Sequence, residues 1–390
     1  MTNKRKNNIL KKIIFTILII ILLRIGNIIP VPNVDQTYLV NLVNSNTTLK
    51  PFFNNKNIIL SIFSVGIIPN LNASILIQYL TSSFSYFQKL QKEEGETGRR
   101  QIKQYTRTLT VIFAFIQSLS ITLALRPILF NWNMQSCFEI TLVLITGSMI
   151  VLWLSDLITE MGIGNGSSIV ITLNILSGLP NVLSNLLKSE NNNSSPYNFL
   201  SLLILIIGIV YLQEAVKIVP LITINQLLKK NKNVKQVSYL PIKVNQGGVM
   251  PIIFASTILG FLFIIFNSIT NFLHISVDPF LIRIIYTTLN FLLVFNFTIF
   301  YSNLILNPKE IAKDLNKMGV TIKNVRPGQQ TVSFLKKTLN RLTKIGAIFL
   351  ASLVTIPNIG SYSGLSITSL IIVIGVIIEV IRQIQILKRE

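Results

Sequence analysis

The stretch FEITLVLITGSMIVLWLSDLITEMGIGNGSSIVI, residues 138–171, sets a long apolar run (138–157) against a short segment with glycines at 162, 164 and 166. Glycines at every second position ahead of a helix-like run invite a phosphate-binding reading. That fingerprint follows a short strand in a soluble βαβ unit and wants an acidic residue downstream. Here the preceding run has the length of a membrane-crossing helix, and the following run, 167–187, holds no Asp or Glu. The segment therefore reads as two spanning helices joined by a tight hairpin at 158–166. Gly162, Gly164 and Gly166 permit the close reversal, and Asn165 or Ser167 is placed to cap the second helix.

Composition extends this reading to the whole chain. Half of the 390 residues are hydrophobic, 13% are charged and the mean hydropathy is +0.60, as expected of a polytopic membrane protein. One cysteine (Cys137) and one histidine (His274) exclude a disulfide framework and Cys/His metal sites. A Ser-His-Asp hydrolase would need His274, and nothing around it supports that; no P-loop is present either. No enzyme activity, metal or cofactor is expected.

Apolar runs of spanning length lie near 13–30, 106–125, 138–157, 167–187, 198–219, 249–269, 281–306, 342–357 and 365–386, with a shorter one at 58–87 interrupted by Pro69. Each spanning run is helical, because hydrocarbon offers no partner for backbone polar groups. The first run is too long for a signal-peptide core and lacks a cleavage site, which predicts an uncleaved first helix. The net charge of +21 does not form one nucleic-acid patch. Most lysines and arginines fall in alternate connections: the N-terminal tail, 88–107, 217–243, 309–344 and the C-terminal end. The positive-inside rule then puts both termini and the large basic loops on the side where the chain is made.

Ten spans divide into two sets of five, residues 1–187 and 188–390. An odd number per set starts the second on the opposite side from the first, the geometry of an inverted repeat with a pathway between halves. The acidic residues all fall in loops or toward helix ends. That disfavours a proton or sodium relay, which would use ionisable groups at membrane depth. In NIILSIFSVGIIPNLNASILIQYL (57–80), Pro69 cannot continue a helical ladder. Either a half-length helix folds into a cavity before the break, or this is an ordinary proline-kinked helix.

Six segments carry a resemblance: GIIPNLNASILIQYL (66–80), EEGETGRRQIKQYTR (93–107), ITEMGIGNGSSI (158–169), YLPIKVNQGGVMPIIFAS (239–256), NPKEIAKDLNKMG (307–319) and VRPGQQT (325–331). In order and spacing they resemble the SecY family, channel subunits of the Sec protein translocon. The loops are most similar to plastid-encoded members. The resemblance implies an all-α fold of ten transmembrane helices in two pseudo-symmetric halves, with a short plug helix at about 58–66 (Ile58, Leu60, Ile62, Phe63, Gly66). It implies a pore ring of Leu71, Ile75, Ile171, Ile253 and Ile372, and lateral release of apolar segments into lipid. The implied function is a protein-conducting channel; the alternative is an inverted-repeat secondary transporter of a small solute.

The same resemblance implies a docking face for a motor ATPase or ribosome at Arg99, Arg100, Arg326, Lys336 and Lys337. Implied partners are a SecE-type subunit, a SecA-type ATPase, a SecG-type subunit, the ribosome, a signal recognition particle route, substrate polypeptides and membrane lipid. No direct nucleic-acid binding is implied apart from ribosome docking. The implied location is the plastid thylakoid membrane with both termini in the stroma, or else a bacterial plasma membrane. Three positions depart from the family pattern: Met161 and Ser167 replace an arginine and an isoleucine, and Gln329 replaces a glutamate.

Overall fold

The computed structural model describes residues 2–36, 60–92, 95–124, 126, 133–188, 195–223, 238–272, 279–359 and 367–389. The helices are α1 (Thr2–Gly26), α2 (Ile68–Ser83), α3 (Ser85–Lys92), α4 (Gly95–Ala124), α5 (Met134–Met161), α6 (Gly166–Lys188) and α7 (Ser195–Glu214). After strands β1 (Val216–Thr223) and β2 (Ser238–Lys243) come α8 (Met250–Phe272), α9 (Pro279–Ile305) and α10 (Pro308–Lys317). Strand β3 (Val320–Ile322), α11 (Gln329–Ile359) and α12 (Ile367–Arg389) complete the order. All of the helices except α3 and α10 are at least 16 residues long, which is consistent with ten spans. Among the described residues, four stretches, Gly95–Leu123, Met134–Met161, Leu281–Lys317 and Thr368–Lys388, are long and apolar enough to cross a bilayer.

The chain forms two packed units. The first comprises residues 1–188 and 376–390. In it α4 packs against α2, α3 and α5, while α1 and α6 pack against α5. At 30 residues α4 is about 45 Å long, which exceeds an apolar slab of about 30 Å. Its polar opening turns, GETGRRQIKQYTR, therefore project from that slab. Its buried Ser118 and Thr122 hydroxyls donate to the carbonyls of Ala114 (2.6 Å) and Ser118 (2.8 Å). Those bonds remove the cost of an unpaired hydroxyl in an apolar interior.

Among its described residues, the second unit, 189–375, shows two cores. One joins Ile209 and Leu212 of α7, Ile252 and Ala255 of α8, Val294 of α9, Leu350, Ala351 and Val354 of α11, and Ile371 of α12. The other lies under a three-stranded antiparallel sheet of order β2-β1-β3, where Val219, Ile242, Ala312, Leu315, Ile322, Leu335 and Leu339 meet. Strand β1 pairs with β2 from Val216↔Lys243 to Leu221↔Ser238, and with β3 through Leu221↔Ile322. Helix α10 starts at Pro308 behind an Asn307 cap whose side chain accepts from Lys309 N–H at 3.2 Å.

Several expectations change. The basic segments 217–243 and 309–344 are not plain loops: they hold β1, β2, α10, β3 and the first half of α11. Val219 and Leu221, two apart in VKIVPLIT, turn one face of β1 onto the core that Leu335 and Leu339 of α11 share, a period of two that a search for spanning runs does not register. Residues 88–107 are largely helical, in α3 and α4. The plug helix expected at 58–66 is, over the described residues 60–67, a series of turns; Ile58 lies outside the described residues. Pro69 does not kink a helix either. It sits in the first turn of α2, where its missing N–H costs nothing, and the break belongs to Gly66 at φ +58°.

Leu335 is fully buried in the core beneath the sheet. Leu335→Ala should destabilise that layer by about 2–5 kcal/mol. Cleavage by protease within 238–243 or 308–330 should then begin at lower urea, with the spanning helices still protected.

Candidate functional site

Hairpin 158–166 is built by close contact. Helix α5 ends at Gly162, whose N–H bonds the Ile158 carbonyl at 2.8 Å, and Gly164 takes φ +92°. A Cβ on Gly166 would overlap the Ser155 carbonyl, and one on Gly162 would overlap the Thr16 side chain of α1. Asn165 rather than Ser167 is the cap: its Oδ1 accepts from Ser167 N–H at 3.2 Å and from the Ser167 hydroxyl at 2.8 Å. Gly166 N–H donates to Thr159 Oγ1 at 2.9 Å, and Gly164 N–H donates to Gln383 Oε1 of α12 at 2.6 Å.

The last turns of α5 carry Asp156 and Glu160, which the negative end of the helix dipole disfavours. Helix α4 answers with cations: Arg107 lies 2.7 Å from Asp156, and Lys103 lies 3.0 Å from Glu160 and 3.4 Å from Asp156. Met161, at the position where the family has arginine, is exposed and leaves the last turn of α5 without a basic residue. Because these groups are largely in contact with solvent, each pair adds only about 0–1 kcal/mol. Their main effect is to align α4 with the hairpin.

The basic docking candidates fall in separate places. Arg99 and Arg100 are exposed near the start of α4, where Arg100 pairs with Glu96 at 2.9 Å. In the second unit, Thr331, Leu335, Thr338 and Leu339 are buried on α11, which turns Lys336, Lys337 and Arg341 outward. Arg326 is exposed in the turn between β3 and α11. That turn is held by Asn324 at φ +63°, Gly328 at φ +104°, and a 2.9 Å bond from the Thr331 hydroxyl to the Arg326 carbonyl. Gln329, the family's glutamate position, is exposed at the start of α11.

Of the five ring candidates, three belong to the first unit and two to the second. Leu71 and Ile75 stand one turn apart on α2, with Leu71 buried and Ile75 half-buried; Ile171 is half-buried on α6. Ile253 of α8 and Ile372 of α12 are 9% and 8% exposed, yet neither is in the second unit's core. Their neighbours Ile252 and Ile371 are. Adjacent helical residues point about 100° apart, so Ile253 and Ile372 face away from the direction of that core.

The described plug residues sit in the first unit. Leu60 is buried, while Ile62 and Phe63 are half-buried in turns that close at Gly66. A small cavity beside them is lined by Leu23, Arg24, Asn27, Phe63, Gly66 and Asn174, among others. Asn27 Nδ2 donates to Asn174 Oδ1 at 3.4 Å across it.

Sequence reasoning missed three of these polar contacts. Gln383 reaches Gly164 across 219 positions, and nothing in a lone glutamine predicts that. Gln36 accepts from Leu60 N–H at 2.9 Å, again without a local signature. The Arg107–Asp156 pair has a partial signal, an acid at a helix C-terminus.

A solved SecY structure, reported for a plug domain that stabilises the closed state of the translocation channel, aligns with 97% of this chain and 92% of its own at TM-score 0.69 and 17% identity. Sec61 in the canine ribosome-channel complex from the endoplasmic reticulum aligns with 97% and 93% at TM-score 0.64 and 15% identity. The fold is thus that of a polytopic helical membrane channel. A family model described as SecY matches residues 61–381, and the protein translocase subunit SecY of Guillardia theta is 39% identical over 98% of this chain and 95% of its own. The chain belongs to the SecY family.

Gln383→Leu removes the acceptor of the Gly164 amide. Hydrogen exchange at 162–166 should rise about tenfold, the size expected for an orphaned backbone donor, while exchange in 169–175 stays slow.

Proposed function

We propose that five branched aliphatic side chains and one turn segment do the gating in this SecY-family protein-conducting channel. The observation that carries the reading is the chemistry of the assigned positions. Leu71, Ile75, Ile171, Ile253 and Ile372 offer no hydrogen bond and no charge. A constriction of such groups disfavours a thin water column and blocks ions by dewetting. It also carries no directional preference, which suits a pathway that must accept any polypeptide sequence. The secondary-transporter reading is not favoured: Asp156, Glu160 and Glu214 lie in the last turns of their helices. Glu379 lies near the middle of α12 rather than at a helix end as expected, and among the described residues it is a single mid-helix acid and not a relay.

In this reading residues 60–66 plug the resting channel, and spans move apart to release apolar segments sideways into lipid. The passenger's burial supplies the free-energy difference that favours the open state. The chain has no P-loop and acts as a conduit, not an enzyme, so energy enters from a partner. Arg326, Lys336 and Lys337, with Arg99 and Arg100, are the proposed contacts for a SecA-type ATPase or a ribosome; an arginine there can hold a carboxylate or phosphate with two bonds. Sec61 captured in a ribosome-channel complex supports partners of that kind. A SecE-type subunit is the proposed clamp, with a SecG-type subunit and a signal recognition particle route as accessories. Placement in a thylakoid membrane, termini in the stroma, is supported by the basic loops and the plastid-like motifs. Residues 1–187 and 188–390 are the proposed structural halves.

The decisive experiment places a photo-crosslinking residue at Ile171, with the SecE-type partner present and a secretory precursor arrested halfway. Crosslinks to the middle of the precursor are expected; crosslinks confined to lipid, with arrest confirmed, would reject the pore assignment. Independently, Ile253→Asn or Ile372→Asn should wet the constriction and raise ion conductance in planar bilayers. Wild-type conductance in both variants would remove these residues from the ring.

A further inference from the structure

We infer that Gly26 of α1 and Gly147 of α5 form a preshaped seat that holds the 60–67 segment shut by close packing. The inference rests on reading that segment as the plug, and adds what fixes it.

Glycine inside a helix is unfavourable relative to alanine, so Gly147, within α5, calls for a packing reason, whereas Gly26 is the last residue of α1. At Gly147 the reason is visible: a Cβ would overlap the Ile62 carbonyl oxygen, a backbone atom that cannot swing aside. At Gly26 a Cβ would overlap the Phe63 ring. Two consecutive residues of the segment therefore enter notches on two different helices. The entrance is fixed separately. Val31 N–H donates to the Leu60 carbonyl at 2.9 Å, Ile62 N–H donates to the Ile29 carbonyl at 3.1 Å, and Pro30 bridges Ser61. Gln36 Oε1 accepts from Leu60 N–H. At the exit, Gly66 at φ +58° turns the chain past Asn174 into α2.

Residues 60–67 carry no charged side chain, so release does not require breaking an ion pair of the segment. A shape-matched seat can be left and refilled repeatedly, because the notches belong to helices that stay in place. Overfilling a notch should raise the open population without touching the ring.

The test uses the full chain reconstituted with its partner subunit and carrying Cys137→Ser and Ser61→Cys, since Ser61 is buried at the segment's anchor. Maleimide labelling and planar-bilayer conductance are read together. Gly147→Ala should label at least about fivefold faster, as overpacking predicts. Gly26→Ala should also accelerate labelling, by less, because the Phe63 ring can rotate. Gly208→Ala, where the nearest atom to a new Cβ is 3.7 Å away, should label at the parent rate. If Gly147→Ala does not assemble, Gly26→Ala decides alone. Parent-rate labelling in the variants that assemble would overturn the seat. Faster labelling with unchanged conductance would keep the seat and reject the plug reading; faster labelling with increased conductance would support both.

Discussion

A chain in hydrocarbon must bond every backbone N–H and C=O to itself, and most of this structure follows from that demand. The spanning runs become helices. Buried hydroxyls turn back to their own helix, as Thr298 does to Val294 at 2.7 Å and Thr355 to Ala351 at 2.9 Å. Among the described residues, named strands occur only in the basic connections, where β1, β2 and β3 form one sheet. Where the chain leaves helical geometry at 60–67, the released groups are met by a short bridge to 29–31 and by one glutamine.

Within those limits, shape does more of the holding than charge. The hairpin closes because Gly166 lets α6 rest on the α5 backbone, and the second unit's core is almost wholly aliphatic. The described ion pairs sit on exposed ends of α4 and α5, where they orient helices at little gain in stability. That division suits a conduit. Apolar surfaces can part and rejoin without leaving buried charges unpaired, whereas a polar seam would carry a desolvation cost on every cycle.

The length of the apolar runs was enough for the spanning helices, since runs such as 138–157 have no other reading at that length, whereas the short polar helices α3 and α10 gave no such signal. The hairpin was legible for the same reason, with three glycines and an asparagine between two such runs. The sheet was not, because the inward residues of VKIVPLIT are too few to stand out beside lysines that read as topology signals. The proposed ring positions are invisible in isolation: Ile253 beside Ile252 differs only in which way it faces, and only family resemblance selects it. Gly147 sits in an apolar helix, and its meaning depends on a backbone oxygen brought from 62. Long-range contacts of this kind leave no local trace.

Helix α11 runs without a break from Gln329 to Ile359, 31 residues and about 47 Å. Its first turns carry Lys336 and Lys337 outside, and its later turns carry Leu350 and Val354 in the aliphatic core. An α-helix resists axial compression, so the two regions cannot shift along it independently. A body that grips the outer turns and pushes or tilts them works the far end as a strut, and force applied in water arrives among the packed side chains within the same rigid element.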